Sequence, residues 1–163
     1  METLIPTPLI TTRADDFRAA LPEGGLLLGI DTGTKTIGTA ICDAGWRFAT
    51  PGKPIPKGKF MRDKAAIAAI VATRGVAGLV IGLPLNMDGS ESPRSQSARA
   101  YARNLGVLGL PVLLWDERWS TQAAARDLIG QDISRAKRAE RIDSAAAATI
   151  LQAAIDALAG AIL

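Results

Sequence analysis

Acidic residues at three separate places in the chain are the side chains best suited to do chemistry. Asp31 follows the apolar residues 26–28, the pair Asp116 and Glu117 follows a second apolar run, and Asp143 lies in an alanine-rich segment. The chain has no histidine, which excludes Ser-His-Asp catalysis, Cys-His catalysis and His-ligated metal sites. Acid-base or metal chemistry must therefore depend on carboxylates.

The positions of these acids predict that they meet at one edge of a sheet. Asp31 and the pair Asp116 and Glu117 come where predicted strands end, and ligands of open α/β sheets gather at the carboxyl ends of the strands. Asp143 is seven residues before Ile150, so it lies about 20° from it on one helical stripe, which faces the sheet. Because successive strand residues point to opposite sides, the pattern leaves open whether Asp116 or Glu117 faces the site.

Two of these acids also have a structural interpretation that needs no ligand. Asp31 can accept backbone N–H bonds in a hairpin turn, and Asp143 can pair with an arginine or offset the dipole of a first helical turn. Three inward carboxylates from three elements nevertheless favour a shared divalent cation, because a buried charge needs compensation. Carboxylate and water oxygens suit Mg²⁺ or Mn²⁺ better than zinc. Two such ions can activate a water and stabilise the leaving oxygen of a phosphoryl displacement.

Basic residues accompany the acids along the sequence. The formal net charge of the 163-residue chain is +3, which permits a polyanionic partner without requiring one. Each basic residue alone is typical of a solvated surface, but beside an acidic cluster the set predicts that nucleic acid is held by its phosphates. The candidates for substrate binding are Lys35, Arg94, Arg118, Arg138 and Arg141, with Arg99, Arg135 and Lys137 nearby. Trp119 can stack on a base or serve packing.

The elements that must position these residues read as one α/β domain over residues 25–163. Strand patterns at 26–31, 36–43 and 46–50 predict an antiparallel meander with a tight turn at Ala44 and Gly45. Helix patterns at 60–74, 94–105, 120–129 and 139–158 alternate with strands at 77–82 and 111–115, and Gly75 ends the first helix. This order predicts a mixed central sheet with parallel crossovers and with helices on both faces. The linker 130–138 is expected to be mobile until nucleic acid binds.

The remaining sequence features point to a reducing compartment. Residues 1–24 are expected to form a loosely ordered extension with one helical turn at 16–21, and they show no signal-peptide pattern. The sequence contains no run of about 18 uncharged apolar residues, so it predicts no membrane span. The single cysteine, Cys42, lies in an apolar strand, so it is interpreted as a core residue in a cytoplasmic protein.

Four segments together resemble the motifs of the YqgF (RuvX-like) family, in the same order and with the same spacing over residues 26–158. They are GIDTGTKTIG at 29–38, GLPLNMDGSE at 82–91, DERWST at 116–121 and IDSAAA at 142–147. The resemblance implies an RNase H-like fold and an acidic triad of Asp31, Glu117 and Asp143. It therefore selects Glu117 over Asp116.

Two positions depart from the family pattern. Thr36 stands where the family usually has arginine, which removes one expected phosphate contact, and Trp119 stands where it usually has leucine. The resemblance implies a metal-dependent nuclease that uses Mg²⁺ or Mn²⁺. The implied substrate is structured RNA, at the 5′ end of pre-16S rRNA during ribosome biogenesis.

Other functions remain open from the sequence. One alternative is a Holliday junction resolvase that cuts branched DNA, which requires a homodimer if it cuts symmetrically, whereas the sequence alone permits a monomer or a homodimer. A second alternative is an RNA-binding assembly factor without catalysis. A third is an ATP-dependent phosphotransferase, because residues 31–35 resemble the first phosphate loop of sugar kinases, but the chain is too short for the duplicated domain and lacks a second glycine-rich loop.

Overall fold

The structure is a computed structural model that describes residues 9–22, 25–33, 35–119 and 135–160. The side chains of residues 119 and 135–144 lie outside this description. Among the described helices, none combines the length and the apolar character that a bilayer crossing requires.

A mixed seven-stranded sheet forms the centre of the molecule, in the order β1-β7-β6-β2-β3-β4 with β5 also paired to β3. Antiparallel pairing joins β2 to β3 and β3 to β4 and β5, whereas β2, β6, β7 and β1 pair in parallel. The strands are β1 (Ile10–Thr11), β2 (Leu26–Thr32), β3 (Thr36–Cys42), β4 (Ala49–Pro51), β5 (Ile55–Pro56), β6 (Val76–Leu83) and β7 (Val112–Asp116). The predicted antiparallel meander and parallel crossovers are confirmed.

Helices cover both faces of the sheet, as the resemblance to an RNase H-like fold implies. On one face, α2 and α3 pack against residues such as Leu28 and Ile81. On the other face, α1 and α4 pack against their strand neighbours, including Leu27 and Val80, because successive strand residues point to opposite sides. The helices are α1 (Ala14–Ala20), α2 (Phe60–Arg74), α3 (Pro93–Asn104) and α4 (Arg135–Gly160), with 3₁₀ turns at Leu105–Leu108 and Glu117–Trp119.

Local sequence signals account for several of these boundaries. Helix α2 has the predicted bounds and ends at Gly75, whose φ of 66° is the left-handed conformation that glycine adopts most easily. Helix α3 begins after Ser92, which forms a reciprocal capping box with Ser95. Cys42 is a buried core residue, as predicted, and its sulfur accepts a hydrogen bond from the Leu27 amide at 3.3 Å.

Three expectations about elements need correction. Residues 9–22 are not a loose extension, because β1 pairs with β7 and the fully buried Phe17 of α1 packs in the core beneath α4. The hairpin turn is wider than Ala44 and Gly45: β4 starts only at Ala49, and Trp46 adopts a φ of 55°. Helix α4 begins at Arg135, so residues 135–138 are helical and not part of a linker. The predicted helix at 120–129 and linker residues 130–134 lie outside the described residues.

Candidate active site

The carboxyl groups of Asp31 and Glu117 meet where β2 and β7 end. Asp31 is the sixth residue of β2, faces Gly38 in the neighbouring β3, and is only 8% exposed. Glu117 follows β7 directly and opens a 3₁₀ turn, which carries its side chain onto the face of the sheet that Asp31 occupies. The two carboxyl groups share a hydrogen bond.

Gly82 makes room for this pair. In the sheet, Gly82 of β6 lies beside Trp115 of β7. Trp115 precedes Glu117 by two residues. A Cβ built on Gly82 would lie 2.8 Å from the carboxyl carbon and from Oε1 of Glu117, and also 2.8 Å from Cδ1 of Ile150. Such contacts are too short for real atoms, so any side chain at position 82 would push the ends of Glu117 and Ile150 aside, and glycine leaves the Glu117 carboxyl free to cross over β6 toward Asp31.

Burial and mutual repulsion keep one proton on the pair. The pKa of Glu117 is raised to about 8 by burial, by the negative charge of Asp31 and by the hydrogen bond to it. Burial also raises the pKa of Asp31, although the hydrogen bond from Glu117 and the positive charge of Arg94 oppose that rise. Near neutral pH, Glu117 is therefore the protonated partner and donates its hydrogen bond to the Asp31 carboxylate.

A cleft of about 310 Å³ opens onto the carboxyl pair. Arg94, the second residue of α3, places its charge close enough to lower the pKa of both Asp31 and Glu117. The cleft thus combines the acidic pair of buried Asp31 and half-buried Glu117 with the positive charge of Arg94 at its wall. This arrangement suits a phosphate group bound through a cation. The lining residues are Asp31, Pro84, Leu85, Met87, Arg94, Glu117 and Arg118.

Asp116 has a different partner from Glu117. The Arg118 guanidinium donates to Asp116 from Nη2 at 2.6 Å and from Nε at 2.8 Å. This pairing lowers the pKa of the Asp116 carboxyl. Alternation along the strand left open whether Asp116 or Glu117 faces the site. In the described structure, Glu117 meets Asp31, and Asp116 binds Arg118.

The remaining predicted residues fall into two groups. Lys35 is exposed beyond the end of β2 and does not line the cleft, whereas Arg99 is paired with Glu91 at 2.6 Å. The other residues predicted for the site lie on α4, whose backbone is described but whose first ten side chains are not; they are Asp143, Arg135, Lys137, Arg138 and Arg141. The side chain of Trp119 is likewise outside the described part of the chain.

The backbone of α4 runs away from the carboxyl ends of the strands. A Cβ built on Gly29 would lie 3.1 Å from the carbonyl oxygen of Ala147, so α4 rests directly on β2. The far end of the helix reaches α1, where Arg18 donates to the carbonyl oxygen of Leu158 at 2.8 Å. The first turns of α4, including position 143 one turn before Ala147, therefore lie at the end of the sheet that holds Asp31.

The chemistry of the pair fits a divalent cation. Two adjacent carboxyl groups, one buried and one half-buried, have oxygen atoms to offer as ligands and a charge that a cation would compensate. Among the side chains that the structure describes, no group of three His, Cys, Asp or Glu residues is close enough to hold a metal ion. The described part of the site therefore offers two carboxyl groups to such an ion.

Together, the mixed sheet, the carboxyl pair at its strand ends and the adjoining cleft define a nuclease of the RNase H-like class, a hydrolase of phosphodiester bonds. Residues 25–157 match the family model described as "RuvX: Holliday junction resolvase". The chain belongs to the RuvX family.

Relatives of known name are similar over nearly the whole chain. A protein of Novosphingobium aromaticivorans named "Putative pre-16S rRNA nuclease" is 72% identical, and the match covers 93% of this chain and 98% of that protein. A protein of Sphingopyxis alaskensis with the same name is 68% identical, covering 92% of this chain and 99% of that protein. Both matches extend beyond the four motifs to the whole domain.

A solved structure shares the fold at low sequence identity. Thermus thermophilus RuvC, in complex with a Holliday junction substrate, superposes with a TM-score of 0.55 at 17% identity. The match covers 83% of this chain and 96% of that chain. It confirms the predicted RNase H-like, resolvase-type fold.

The sequence patterns missed the roles of Gly82 and of the Asp116 to Arg118 ion pair. A signal for Gly82 was present, because a glycine inside an apolar strand pattern marks a close approach of other atoms. No signal pointed to the ion pair, because residues two apart in sequence pair only when the chain turns between them, here at the start of the 3₁₀ turn. Arg94 was predicted and does line the cleft.

Proposed function

We propose that this nuclease acts on RNA and matures the 5′ end of pre-16S rRNA, with Asp31, Glu117 and Asp143 as its catalytic carboxylates. The observation that carries the proposal is the pair of buried Asp31 and half-buried Glu117 beside a cleft that Arg94 lines. The names of the two relatives support the choice of pre-16S rRNA. Such a substrate places the reaction in the bacterial cytoplasm.

The three carboxylates would hold Mg²⁺ or Mn²⁺. When bound, such ions stabilise the attacking and leaving oxygens of an in-line phosphodiester hydrolysis. Glu117 must give up the proton that it now shares with Asp31 before both groups can serve as ligands. Asp143 supports the proposal by its position in the N-terminal half of α4, one turn before Ala147, at the same end of the sheet.

Basic residues of the chain would hold the phosphate backbone. Arg94 is placed to contact the phosphate at the reacting centre, because its charge already acts on both carboxyl groups. Lys35 is exposed beyond β2 and available to a flanking phosphate. Arg138 and Arg141 precede Asp143 on α4 and would extend this positive surface along the bound nucleic-acid strand.

Branched DNA is the competing substrate. The family model is described as a Holliday junction resolvase, and symmetric cutting of a junction would require a homodimer, whereas RNA maturation is compatible with a monomer. An RNA-binding assembly factor without catalysis is the third possibility.

One experiment separates these functions. A 5′-extended pre-16S rRNA fragment and a four-way DNA junction are incubated side by side with Mg²⁺, Mn²⁺ or EDTA. The proteins are wild type, Asp31→Asn, Asp143→Asn and the control Asp156→Asn, which changes an exposed carboxylate on the same helix.

We expect metal-dependent cutting of the RNA by wild type and the control, with no cutting by Asp31→Asn or Asp143→Asn. Preferential cutting of the junction would favour the resolvase. Binding of RNA without cutting of either substrate would favour the assembly factor. Activity of Asp143→Asn equal to that of the control would remove Asp143 from the catalytic set.

A further inference from the structure

The polar loop between β6 and α3, residues 84–92, forms one wall of the cleft and is here called the cleft loop. Its tip is closed by its own hydrogen bonds, because the Gly89 amide donates to the Asn86 carbonyl at 2.8 Å and the Asn86 amide donates to the Ser90 carbonyl at 3.0 Å. At its base, the Ser92 hydroxyl donates to the Pro84 carbonyl at 2.6 Å. These few bonds close the loop tip, and how persistently the tip stays closed depends on its contacts with the rest of the molecule.

Arg118 supplies such a contact to the tip of the cleft loop. Its Nη1 donates to the Met87 carbonyl at 3.3 Å, while Nε and Nη2 hold Asp116 at 2.8 and 2.6 Å. A Cβ built on Gly89, which has a φ of 87°, would lie 3.2 Å from the same Nη1. The guanidinium thus lies between the tip of the cleft loop and the end of β7.

We propose that Arg118 and Asp116 act as a positioning pair that holds the cleft loop in place, and that Arg118 does not serve as a phosphate ligand. This inference rests on the proposed function, because it requires that the cleft binds a nucleic-acid strand. A guanidinium bound to a carboxylate through two donors carries little net charge toward a phosphate, and it would have to leave Asp116 to bind one. Its bond to the Met87 carbonyl, together with the charge attraction between Arg118 and Asp88, ties the guanidinium to the cleft loop.

The positioned loop presents Met87 to the substrate. Met87 is 68% exposed although it lines the cleft beside Asp31 and Glu117. A side chain held at the mouth of the cleft limits how a strand can approach the carboxyl pair. If the pairing of Arg118 with Asp116 were lost, the tip of the cleft loop could move. The loop would then no longer guide the substrate into line with the carboxyl pair, and small errors in position lower catalytic rates.

The two roles of Arg118 predict effects of opposite sign for two single variants. If Arg118 binds phosphate, Arg118→Ala weakens RNA binding and lowers the slope of log affinity against log salt by about 0.7–0.9. In that case Asp116→Asn strengthens binding, because it frees a positive charge. If the pair positions the loop, both variants weaken binding by the same factor with an unchanged salt slope, and the double variant is no worse than either single variant.

Binding is measured with the 5′-extended pre-16S rRNA fragment over a series of salt concentrations, with every protein in the Asp31→Asn background to prevent cutting. Hydrogen exchange of the free proteins is measured in parallel. We expect the Gly89 and Asn86 amides to exchange about tenfold faster in both Arg118→Ala and Asp116→Asn, while amides of β2 and β6 keep their wild-type rates and report an intact fold. Arg13→Ala, which removes an exposed charge that pairs with Asp15, is the control.

Opposite effects of Asp116→Asn and Arg118→Ala on binding, or exchange of the loop amides at the wild-type rate in both, would overturn the positioning role. The exchange result does not depend on RNA. If none of these proteins binds the RNA fragment, including the one that carries Asp31→Asn alone, the proposed substrate is wrong. Exchange of the loop amides then decides by itself whether the pair holds the loop.

Discussion

The proton shared by Asp31 and Glu117 predicts that the metal-free protein loses stability as the pH rises from 5 to 8. The pKa of Glu117 is about 8 in the folded protein against 4.5 for an ordinary glutamate. Between these values the folded protein keeps a proton that the unfolded chain has released. The free energy of unfolding therefore falls as the pH rises, and the fall ends above about pH 8.

The size of this loss follows from the shift. At about 1.4 kcal/mol for each pH unit, the full shift corresponds to at most about 5 kcal/mol. We expect about 2–3 kcal/mol, because Asp31 shares the proton and water in the open cleft screens the charges. The chain has no histidine, so few other groups titrate in this range and the signal is easily isolated.

Urea unfolding at pH 5, 6.5 and 8 in EDTA measures the loss, with Glu117→Gln as the comparison. Wild type should lose about 2–3 kcal/mol across this range, whereas Glu117→Gln, which has no carboxyl group to ionise at this position, should lose much less. Saturating Mg²⁺ should restore stability at pH 8 more than at pH 5, because the ionised pair is its ligand. A flat profile for wild type, or the same slope in both proteins, would refute the assignment of the proton to this pair.

Three further predictions test the packing around the site. Gly82→Ala should destabilise the protein by about 1–3 kcal/mol and lower nuclease activity by displacing Glu117, whereas Gly58→Ala, whose Cβ would meet atoms only at 3.9 Å, should change neither quantity in the same assays. Phe17→Ala should cost about 3–5 kcal/mol in urea unfolding if α1 belongs to the core, and a cost below about 1 kcal/mol would mean that α1 is dispensable. Ser92→Ala should cost about 0.5–2 kcal/mol through loss of the α3 cap, seen as a lower melting temperature, and an unchanged melting temperature would contradict the role of the cap.

Local patterns in the sequence were sufficient for the elements that local forces define. Helix α2 ends at Gly75 because only a residue at ease in the left-handed conformation can close it there. The apolar run before Asp31 marked a buried strand with a carboxylate near its end, and this strand is β2, which ends one residue later at Thr32. The mixed order of antiparallel and parallel strands followed from the spacing of these elements.

Tertiary structure decided which atoms meet. Phe17 lies in a short amphipathic segment whose pattern is too brief to predict burial, and only its packing beneath α4 makes residues 14–20 part of the core. The turn before β4 is wide because Asp43 accepts the amides of Arg47 and Phe48 at 2.9 Å.

The same division applies to the site. The sequence determined that carboxylates must do the chemistry, since it contains no histidine, and it placed Asp31 at a strand end. Whether Asp116 or Glu117 joins Asp31 depends on the direction in which the chain turns after β7, and on the space that Gly82 leaves on the neighbouring strand. Residue type and spacing fix what a side chain can do, but long-range packing fixes its partner, because that partner comes from a distant part of the chain.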